Sequence, residues 1–262
     1  MDGRWEWLEQ ELGKQAGTVS CYYRNLATGE TFGYQEEAVH SSASVIKIYL
    51  MAFVFEKIRR GELAPNQRIT FSPDQLAPSA GVLSYLKDLD QLSVRDLVQL
   101  MIIVSDNSAT NILIDLVGKD ALNAYLGREL GLTHTRLRRR MMDLEAIARG
   151  EDNTTSALET GLILERIYRR NLVSPSACEQ MLEILKNQQD GSLIPWFIDG
   201  DMPEHTIAHK TGGLDHVVHD AALVDVPEEP YILCFFGSGV DVPAYGRLMQ
   251  DAAARIHRSR KN

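Results

Sequence analysis

Strand-like segments lie near both ends of this chain, and a long helical stretch separates them. Residues 17–23 are rich in β-branched and aromatic residues, and residues 31–34 return as a second strand after the turn signal Thr28-Gly29, which predicts a hairpin. Strand character reappears at residues 205–210, 217–226 and 231–237. We therefore expect the terminal segments to pair in one antiparallel sheet.

Helical periodicity dominates the middle of the chain. It begins at Val45 and is stopped by Gly61. It resumes after Ser93, where Asp96 three residues later forms an N-cap pattern. The remaining helices are predicted at residues 4–14, 107–117, 119–130, 155–169, 174–187 and 243–257.

The composition is that of an ordinary globular protein, with 44% hydrophobic and 24% charged residues. The net charge of −9 argues against a nucleic-acid partner, which would require an excess of Lys and Arg. Arg138, Arg139 and Arg140 form the one notable basic run. Since charge runs usually serve solubility, we expect it to be a solvated loop or helix face.

The apolar stretches and the cysteines indicate in which cellular compartment the protein could be located. Residues 45–54 and 97–104 are too short for a membrane span, which needs about 20 residues. No signal peptide is visible, so the protein is expected to be cytoplasmic if the chain is complete and extracytoplasmic if a signal peptide has been removed. Cys21, Cys178 and Cys234 are scattered and are predicted to be buried thiols.

The first motif with chemical potential is Ser44-Val45-Ile46-Lys47. Residues three apart share one face of a helix, so the Lys47 amine can lie near the Ser44 hydroxyl. A serine hydroxyl becomes an effective nucleophile when an adjacent base takes its proton, and a desolvated lysine can be that base. In isolation the pattern is weak, because Ser44 could equally be a helix N-cap.

Two further motifs follow in the chain. Ser105-Asp106-Asn107 comes directly after an apolar helix; Ser105 could pass a proton to a leaving group, and Asn107 could hold a substrate amide. Lys210-Thr211-Gly212 ends a predicted strand, where a lysine and a hydroxyl can bind a carboxylate and the glycine lets the backbone approach a ligand. Each has a structural explanation alone, but their order, spacing and settings make the set specific.

The three motifs together resemble the S-x-x-K, S-D-N, K-T-G signature of class A β-lactamases and penicillin-binding proteins. The resemblance extends over nearly the whole chain and includes Asn153-Thr154-Thr155-Ser156, which looks like the stretch that closes the omega loop of the family. It implies an α+β fold with a five-stranded antiparallel sheet covered by terminal helices, plus an all-helical lobe. Residues 1–38 and 188–262 would form the sheet lobe and residues 39–187 the helical lobe, with the active site in the crevice between them.

The resemblance also implies roles for individual residues. Ser44 would be the acylated nucleophile, Lys47 its base, and Ser105 the proton shuttle to the leaving nitrogen. The substrate would be bound by Asn107, Lys210, Thr211 and Gly213, with the backbone N–H groups of Ser44 and Gly213 as the oxyanion hole. The substrate would be a small molecule, a β-lactam or a related acyl-peptide or ester, and the protein a monomer. No cofactor or metal is implied, because the chemistry is covalent and metal-free.

The sequence departs from the family in the omega loop. The family pattern Arg-x-Glu-x-x-Leu-Asn supplies a glutamate that activates the deacylating water. Aligning Glu145-Ala146-Ile147 with its counterpart places Arg140 at the general-base position and Leu144 at the position of the water-holding asparagine. Asp143 and Glu145 are the nearest substitute bases, and either would need a shifted loop. Hydrolysis of a β-lactam adduct should therefore be slow, and the natural reaction could instead be D-Ala-D-Ala peptide cleavage or hydrolysis of a simple ester.

Two readings from other classes remain at this stage. A metal-binding protein is one, since His is the commonest metal ligand, but alternation along two strands would scatter its ligands over both faces. The residues in question are His205, His209, His216, His219 and Asp220. A non-catalytic protein that binds peptides or β-lactams is the other, and it has no evident use for Ser44, Lys47 and Ser105.

Overall fold

A five-stranded antiparallel sheet forms the centre of the molecule in the computed structural model, which describes residues 3–78, 80–198, 200, 203 and 206–259. The order of the strands is β2-β1-β9-β8-β7, so the N-terminal hairpin and the three C-terminal strands join in one sheet, as predicted. The strands are β1 (Thr18–Asn25), β2 (Thr31–Tyr34), β7 (Ile207–Leu214), β8 (Val217–Val224) and β9 (Tyr231–Ser238). Two small ribbons also form, β3 (His40–Ser41) with β6 (Thr154–Thr155) and β4 (Arg68–Thr70) with β5 (Gln91–Ser93).

Helices cover both faces of this sheet. The side chain of Ser93 caps the third helix by accepting from the Asp96 N–H, as the sequence predicts. The helices are α1 (Gly3–Gly13), α2 (Ile46–Arg59), α3 (Val94–Ile103), α4 (Asn107–Val117), α5 (Lys119–Ala124), α6 (Leu144–Ala148), α7 (Ala157–Tyr168), α8 (Pro175–Lys186) and α9 (Val242–Ser259).

The sheet is buried on both faces, which explains the nearly continuous burial of β8 and β9. Ile232, Cys234 and Phe236 of β9 belong to the larger apolar core shared with the middle helices. The alternate residues of the same strand, among them Leu233 and Phe235, belong to a second core with α1 and α9. The predicted α+β class with a five-stranded antiparallel sheet is thus confirmed.

Several predicted boundaries shift. The strand expected at 205–210 occupies Ile207–Leu214, and His205 lies outside the described residues. The helix expected at 119–130 is α5 followed by a π-helical turn, Tyr125–Glu129. None of the described helices combines the length and apolarity needed to cross a membrane. Cys21, Cys178 and Cys234 are buried free thiols, as expected.

A buried histidine pair connects the sheet to β3, the short strand before Ser44. His40 Nε2 lies 2.8 Å from Ser20 Oγ, and its Nδ1 lies 2.9 Å from Ser238 Oγ. His219 Nε2 donates to the Ser41 carbonyl at 2.7 Å, and its Nδ1 accepts from the backbone N–H of residue 237. The ring centroids are 5.7 Å apart. Burial lowers the pKa of His40 to about 4 and that of His219 to about 3, so both rings are neutral at physiological pH.

This pair predicts acid sensitivity. Between about pH 6.5 and pH 4 the unfolded chain binds protons at His40 and His219 while the folded chain does not, so the free energy of unfolding should fall as the pH falls. Together the two sites should contribute several kcal/mol, since each tenfold change in proton affinity is worth about 1.4 kcal/mol. Urea unfolding at a series of pH values measures the effect.

His40→Asn provides the matched control for this prediction, because asparagine is polar but does not titrate. The variant should be less stable at pH 7 and should lose less stability on acidification than the wild type. His216→Asn, at an exposed position, should keep the wild-type slope. A free energy of unfolding that stays constant from pH 6.5 to pH 5 would contradict the prediction.

Candidate active site

Ser44 lies in a tight turn between β3 and α2. The turn is a 3₁₀ segment, Ala43–Val45, and it runs directly into the helix that carries Lys47. Ala43 has a φ of 43°, a left-handed backbone conformation that residues other than glycine rarely adopt. The backbone N–H of Ser42 donates to the Asn153 carbonyl at 2.8 Å and holds the turn from behind. Ser44 itself is half-buried, so its hydroxyl can be reached from the crevice.

Lys47 is fully buried and contacts the second motif. Its Nζ donates to Ser105 O at 2.7 Å, to Ser105 Oγ at 3.0 Å and to Asn107 Oδ1 at 2.9 Å. Burial, and then the positive charge of Lys210, lower the pKa of Lys47 well below its usual range, while Asp106 opposes this. The three acceptors match the three protons of the charged amine. Deprotonation, which the lowered pKa favours, frees one position for the hydroxyl of Ser44.

Ser105 and Asn107 are held in place by the connection between α3 and α4. Ser105 has a φ of 55°, another left-handed conformation outside glycine, and such strain is concentrated at functional sites. Asp106 is buried and caps α4 by accepting from the Ala109 N–H at 2.9 Å. Its second oxygen accepts from two N–H groups of the loop at residues 82–83, at 2.6 and 2.7 Å. Asp106 is therefore a structural residue that fixes the two candidate site residues beside it, Ser105 and Asn107.

The third motif lies on β7, the edge strand of the sheet. A Cβ at Gly212 would lie 3.2 Å from the backbone nitrogen of Ser44, so the strand passes directly against the turn that carries Ser44. Gly213 follows at an exposed position. Lys210 is fully buried and its Nζ donates to Thr211 O at 2.9 Å. All three predicted motifs therefore converge, with Lys47, Ser105 and Asn107 in direct contact and β7 beside Ser44.

The loop before β6 is closed by a buried ion pair. The guanidinium of Arg139, only 3% exposed, binds the Asp152 carboxylate at 2.7 Å. Asn153 joins the two ends of the loop, since its Oδ1 accepts from the N–H groups of residues 138 and 139. The expectation that the arginine run is a solvated face is therefore wrong for Arg139, because its charge is compensated inside the loop. Arg140 is exposed and pairs with Asp115 at 2.6 Å.

Met141 is the loop residue fixed by α4. Its N–H donates to Asn111 Oδ1 at 2.7 Å, and its carbonyl accepts from Asn111 Nδ2 at 3.2 Å. Asn111 lies one helical turn after Asn107 on the same face of α4, and Asn107 contacts Lys47. The backbone of residue 141 is thereby held by a residue one helical turn from Asn107, the contact of Lys47. Sequence reasoning missed both residues, although the four-residue spacing from Asn107 to Asn111 was a usable signal.

The two candidate deacylation bases lie at the start of α6. Asp143 caps that helix, with its carboxylate accepting from the Ala146 N–H at 2.9 Å. Glu145 is exposed, and so is Leu144, with 60% of its surface accessible. One oxygen of the Asp143 carboxylate is thus engaged in capping α6.

The histidines of the alternative metal site do not converge. His209 Nδ1 lies 3.1 Å from the buried Asp220 carboxylate. His219 belongs to the opposite face of β8, and His216 is exposed in the β7–β8 turn. Within the described part of the chain, no group of three potential metal-ligating side chains is found.

Comparison with known proteins agrees with this geometry. A model of the β-lactamase enzyme family matches residues 5–259. The chain belongs to this family. Among solved structures, PBP-A superposes with a TM-score of 0.88 at 28% identity, over 100% of this chain and 97% of that one. A β-lactamase from Sphaerobacter thermophilus superposes with a TM-score of 0.88 at 28% identity, over 98% and 97% of the two chains.

The curated relatives match over a shorter part of this chain than the solved structures do. The β-lactamase L2 of Stenotrophomonas maltophilia is 27% identical over 167 residues, which cover 63% of this chain and 54% of that protein. This chain therefore spans about half the length of the curated relatives it matches.

Proposed function

We propose that this protein is a serine hydrolase that forms an acyl-enzyme on Ser44 with β-lactams or related amides and esters, and that it releases the acyl group slowly. The observation that carries the proposal is the buried amine of Lys47, 3.0 Å from Ser105 Oγ and three residues along the chain from Ser44. A protein that only binds peptides or β-lactams gains nothing from a desolvated amine in that position.

The chemistry follows from the contacts. Ser44 Oγ attacks the carbonyl carbon of the substrate, and its proton passes to the neutral amine of Lys47. Through the contact between Lys47 Nζ and Ser105 Oγ, the proton reaches the leaving nitrogen as the C–N bond breaks. The N–H groups of Ser44 and Gly213 stabilise the negative charge on the carbonyl oxygen, at roughly 3–4 kcal/mol for each donor. Asn107, Lys210 and Thr211 orient the substrate.

The expectation that the acyl group leaves Ser44 slowly depends on the residues of the loop at 138–153. A water that attacks the ester on Ser44 needs a nearby base, and general-base assistance is worth about 10²–10⁴-fold. Arg139 is the buried arginine at the neck of this loop, so the family pattern Arg-x-Glu counted from it ends at Met141. The two hydrogen bonds from Asn111 to the backbone of Met141 support Met141 as the residue at the base position. This alignment is shifted by one residue from the one that places Arg140 there. Neither residue can accept a proton.

The relatives support the acylating part of this proposal. The solved structures include a mutant of PBP-A as an acyl-enzyme complex with penicillin G, with a TM-score of 0.89 at 28% identity, over 100% of this chain and 97% of that one. For this chain we therefore choose penicillin as the first acyl donor to test, with D-Ala-D-Ala peptides and simple esters as the further candidates.

Intact-protein mass spectrometry after mixing with a penicillin tests the proposal, alongside turnover of a chromogenic cephalosporin. We expect a lasting adduct of one penicillin on the wild type, none on Ser44→Ala, and little turnover. Ser176→Ala, at an exposed position on α8, is the matched serine control and should be acylated like the wild type. Fast turnover without a lasting adduct would contradict slow release, and an adduct on Ser44→Ala would contradict the assigned nucleophile.

A further inference from the structure

Lys210, the cation expected to bind a substrate carboxylate, is influenced by the charges of two carboxylates of the protein. It is fully buried, and burial lowers its pKa to about 8, while the negative charges of Asp220 and then Asp190 oppose this shift. Its Nζ has already donated a hydrogen bond to Thr211 O. An incoming anion would therefore meet the combined charge of Lys210, Asp190 and Asp220, and not that of an isolated lysine.

Asp220 compensates Lys210 from within the sheet. It is fully buried on β8, directly opposite Thr211 in the strand register. One of its oxygens lies 3.1 Å from His209 Nδ1, and the other accepts from the Ile194 N–H at 3.0 Å. These contacts make Asp220 a fixed part of the core.

Asp190 compensates Lys210 from the crevice side, on the loop that follows α8. This loop bridges the two lobes at the site, because the N–H of Gln189 donates to the Ile103 carbonyl, two residues before Ser105, at 3.0 Å. Gln188 Nε2 lies 3.5 Å from Thr211 Oγ1, and Gln188 Oε1 accepts from the Asp190 N–H at 3.0 Å. The hydroxyl of Thr211 is thus directed toward the loop that carries Asp190.

Asp190 is an anion at neutral pH. Partial burial would raise the pKa of its carboxyl, but hydrogen bonds from the hydroxyls of Ser192 and Thr211 outweigh this and lower it. The Ser192 hydroxyl donates to Asp190 Oδ1 at 2.6 Å. The residue is exposed, and it lies next to Gln188, whose side chain contacts both Thr211 and the backbone of Asp190.

We propose that Asp190 is a specificity-determining residue that weakens the binding of substrates carrying a carboxylate beside the scissile bond, and so favours acyl donors that are uncharged there. This inference rests on the proposed acylation of Ser44 and narrows its substrate class to esters and amides with a neutral leaving-group side. The physical reason is repulsion: a substrate carboxylate bound by Lys210 and Thr211 approaches a second anion, Asp190, on the loop whose Gln188 contacts Thr211.

The test compares a penicillin with its own methyl ester, two acyl donors that differ in one charge. The second-order rate constant for acylation of Ser44 is measured for the wild type and for Asp190→Asn. We expect the substitution to raise the constant for the free acid by about threefold to tenfold, and to leave the constant for the methyl ester within about twofold. The gain should shrink at high ionic strength, which screens the partly exposed charge of Asp190.

Asp215→Asn is the matched control, since it removes an equal charge from the same end of β7 at a position where the side chain is 97% exposed. It should leave both rate constants unchanged. Equal changes with the free acid and the methyl ester, or no change with either, would overturn the role of Asp190.

Binding measured without acylation separates this inference from the proposed function. In the Ser44→Ala background, calorimetry should give a lower Kd for the free acid when Asp190→Asn is added, and an unchanged Kd for the methyl ester. If acylation is absent but this change in Kd is present, the proposed function fails and the role of Asp190 stands. If acylation occurs and the Kd for the free acid does not respond, the role of Asp190 fails alone. Absence of both acylation of the wild type and binding to Ser44→Ala overturns both.

Discussion

Replacing Lys47 by methionine is expected to slow the acylation of Ser44 by about 10²–10⁴-fold. Methionine has a similar volume to lysine and suits the fully buried position, but it cannot accept the proton of Ser44 or return it through Ser105. The measurement is the time course of adduct formation with a penicillin, followed by intact-protein mass spectrometry, and thermal unfolding of the same sample confirms that the variant is folded.

Lys57→Met is the matched control for this experiment. Lys57 lies on the same helix as Lys47, but its amine is paired with Glu62 near the surface. This variant should be acylated at the wild-type rate. Acylation of a folded Lys47→Met protein within about tenfold of the wild type would show that another group removes the proton, and the assigned role of Lys47 would be wrong.

Replacing Met141 by glutamate is expected to accelerate release of the penicilloyl group by about 10²–10⁴-fold. The two hydrogen bonds from Asn111 hold the backbone of residue 141, and Asn111 is one turn from the residue that contacts Lys47. A carboxylate introduced there lies close enough to the cluster to activate water for attack on the ester of Ser44. The readout is the lifetime of the adduct after excess penicillin is removed.

Two further variants separate the chemistry of Met141→Glu from side effects. Met141→Gln has the same shape but no base, so its adduct should last as long as that of the wild type. Arg140→Glu tests the alternative register of the loop and should have no effect, because residue 140 is directed toward Asp115 at the surface. Faster release by Arg140→Glu and not by Met141→Glu would favour the register aligned on Glu145-Ala146-Ile147.

The part of the site that the sequence predicts best is the part carried by short-range patterns. Ser44 and Lys47 share one helical face because of their spacing, and Ser105-Asp106-Asn107 begins a helix because aspartate is a strong N-cap. The structure brings Lys47, Ser105 and Asn107 into contact. The hairpin and the pairing of the terminal strands follow equally well from residue types and turn signals.

The loop register could not be read in the same way. Three consecutive arginines have the same chemistry, and nothing local distinguishes the one that becomes buried. Arg139 is buried because it pairs with Asp152 across the loop. The position of Met141 is fixed by a hydrogen bond to Asn111 on α4, which is distant in sequence. The environment of Lys210 could not be predicted from local sequence either, because the charges that act on it, Asp190 and Asp220, belong to different segments of the chain.

The strand order has a consequence for the moment at which the protein becomes reactive. β1 pairs along its whole length with β9, so the centre of the sheet can form only after residue 238 has left the ribosome. The neighbouring helices α3 and α4 pack on each other and are close in sequence, so they can form earlier. Gly212 reaches the turn of Ser44 only when β7 docks. A nascent chain therefore carries Ser44 as an ordinary serine until β7, β8 and β9 have been synthesised and the sheet has formed around it.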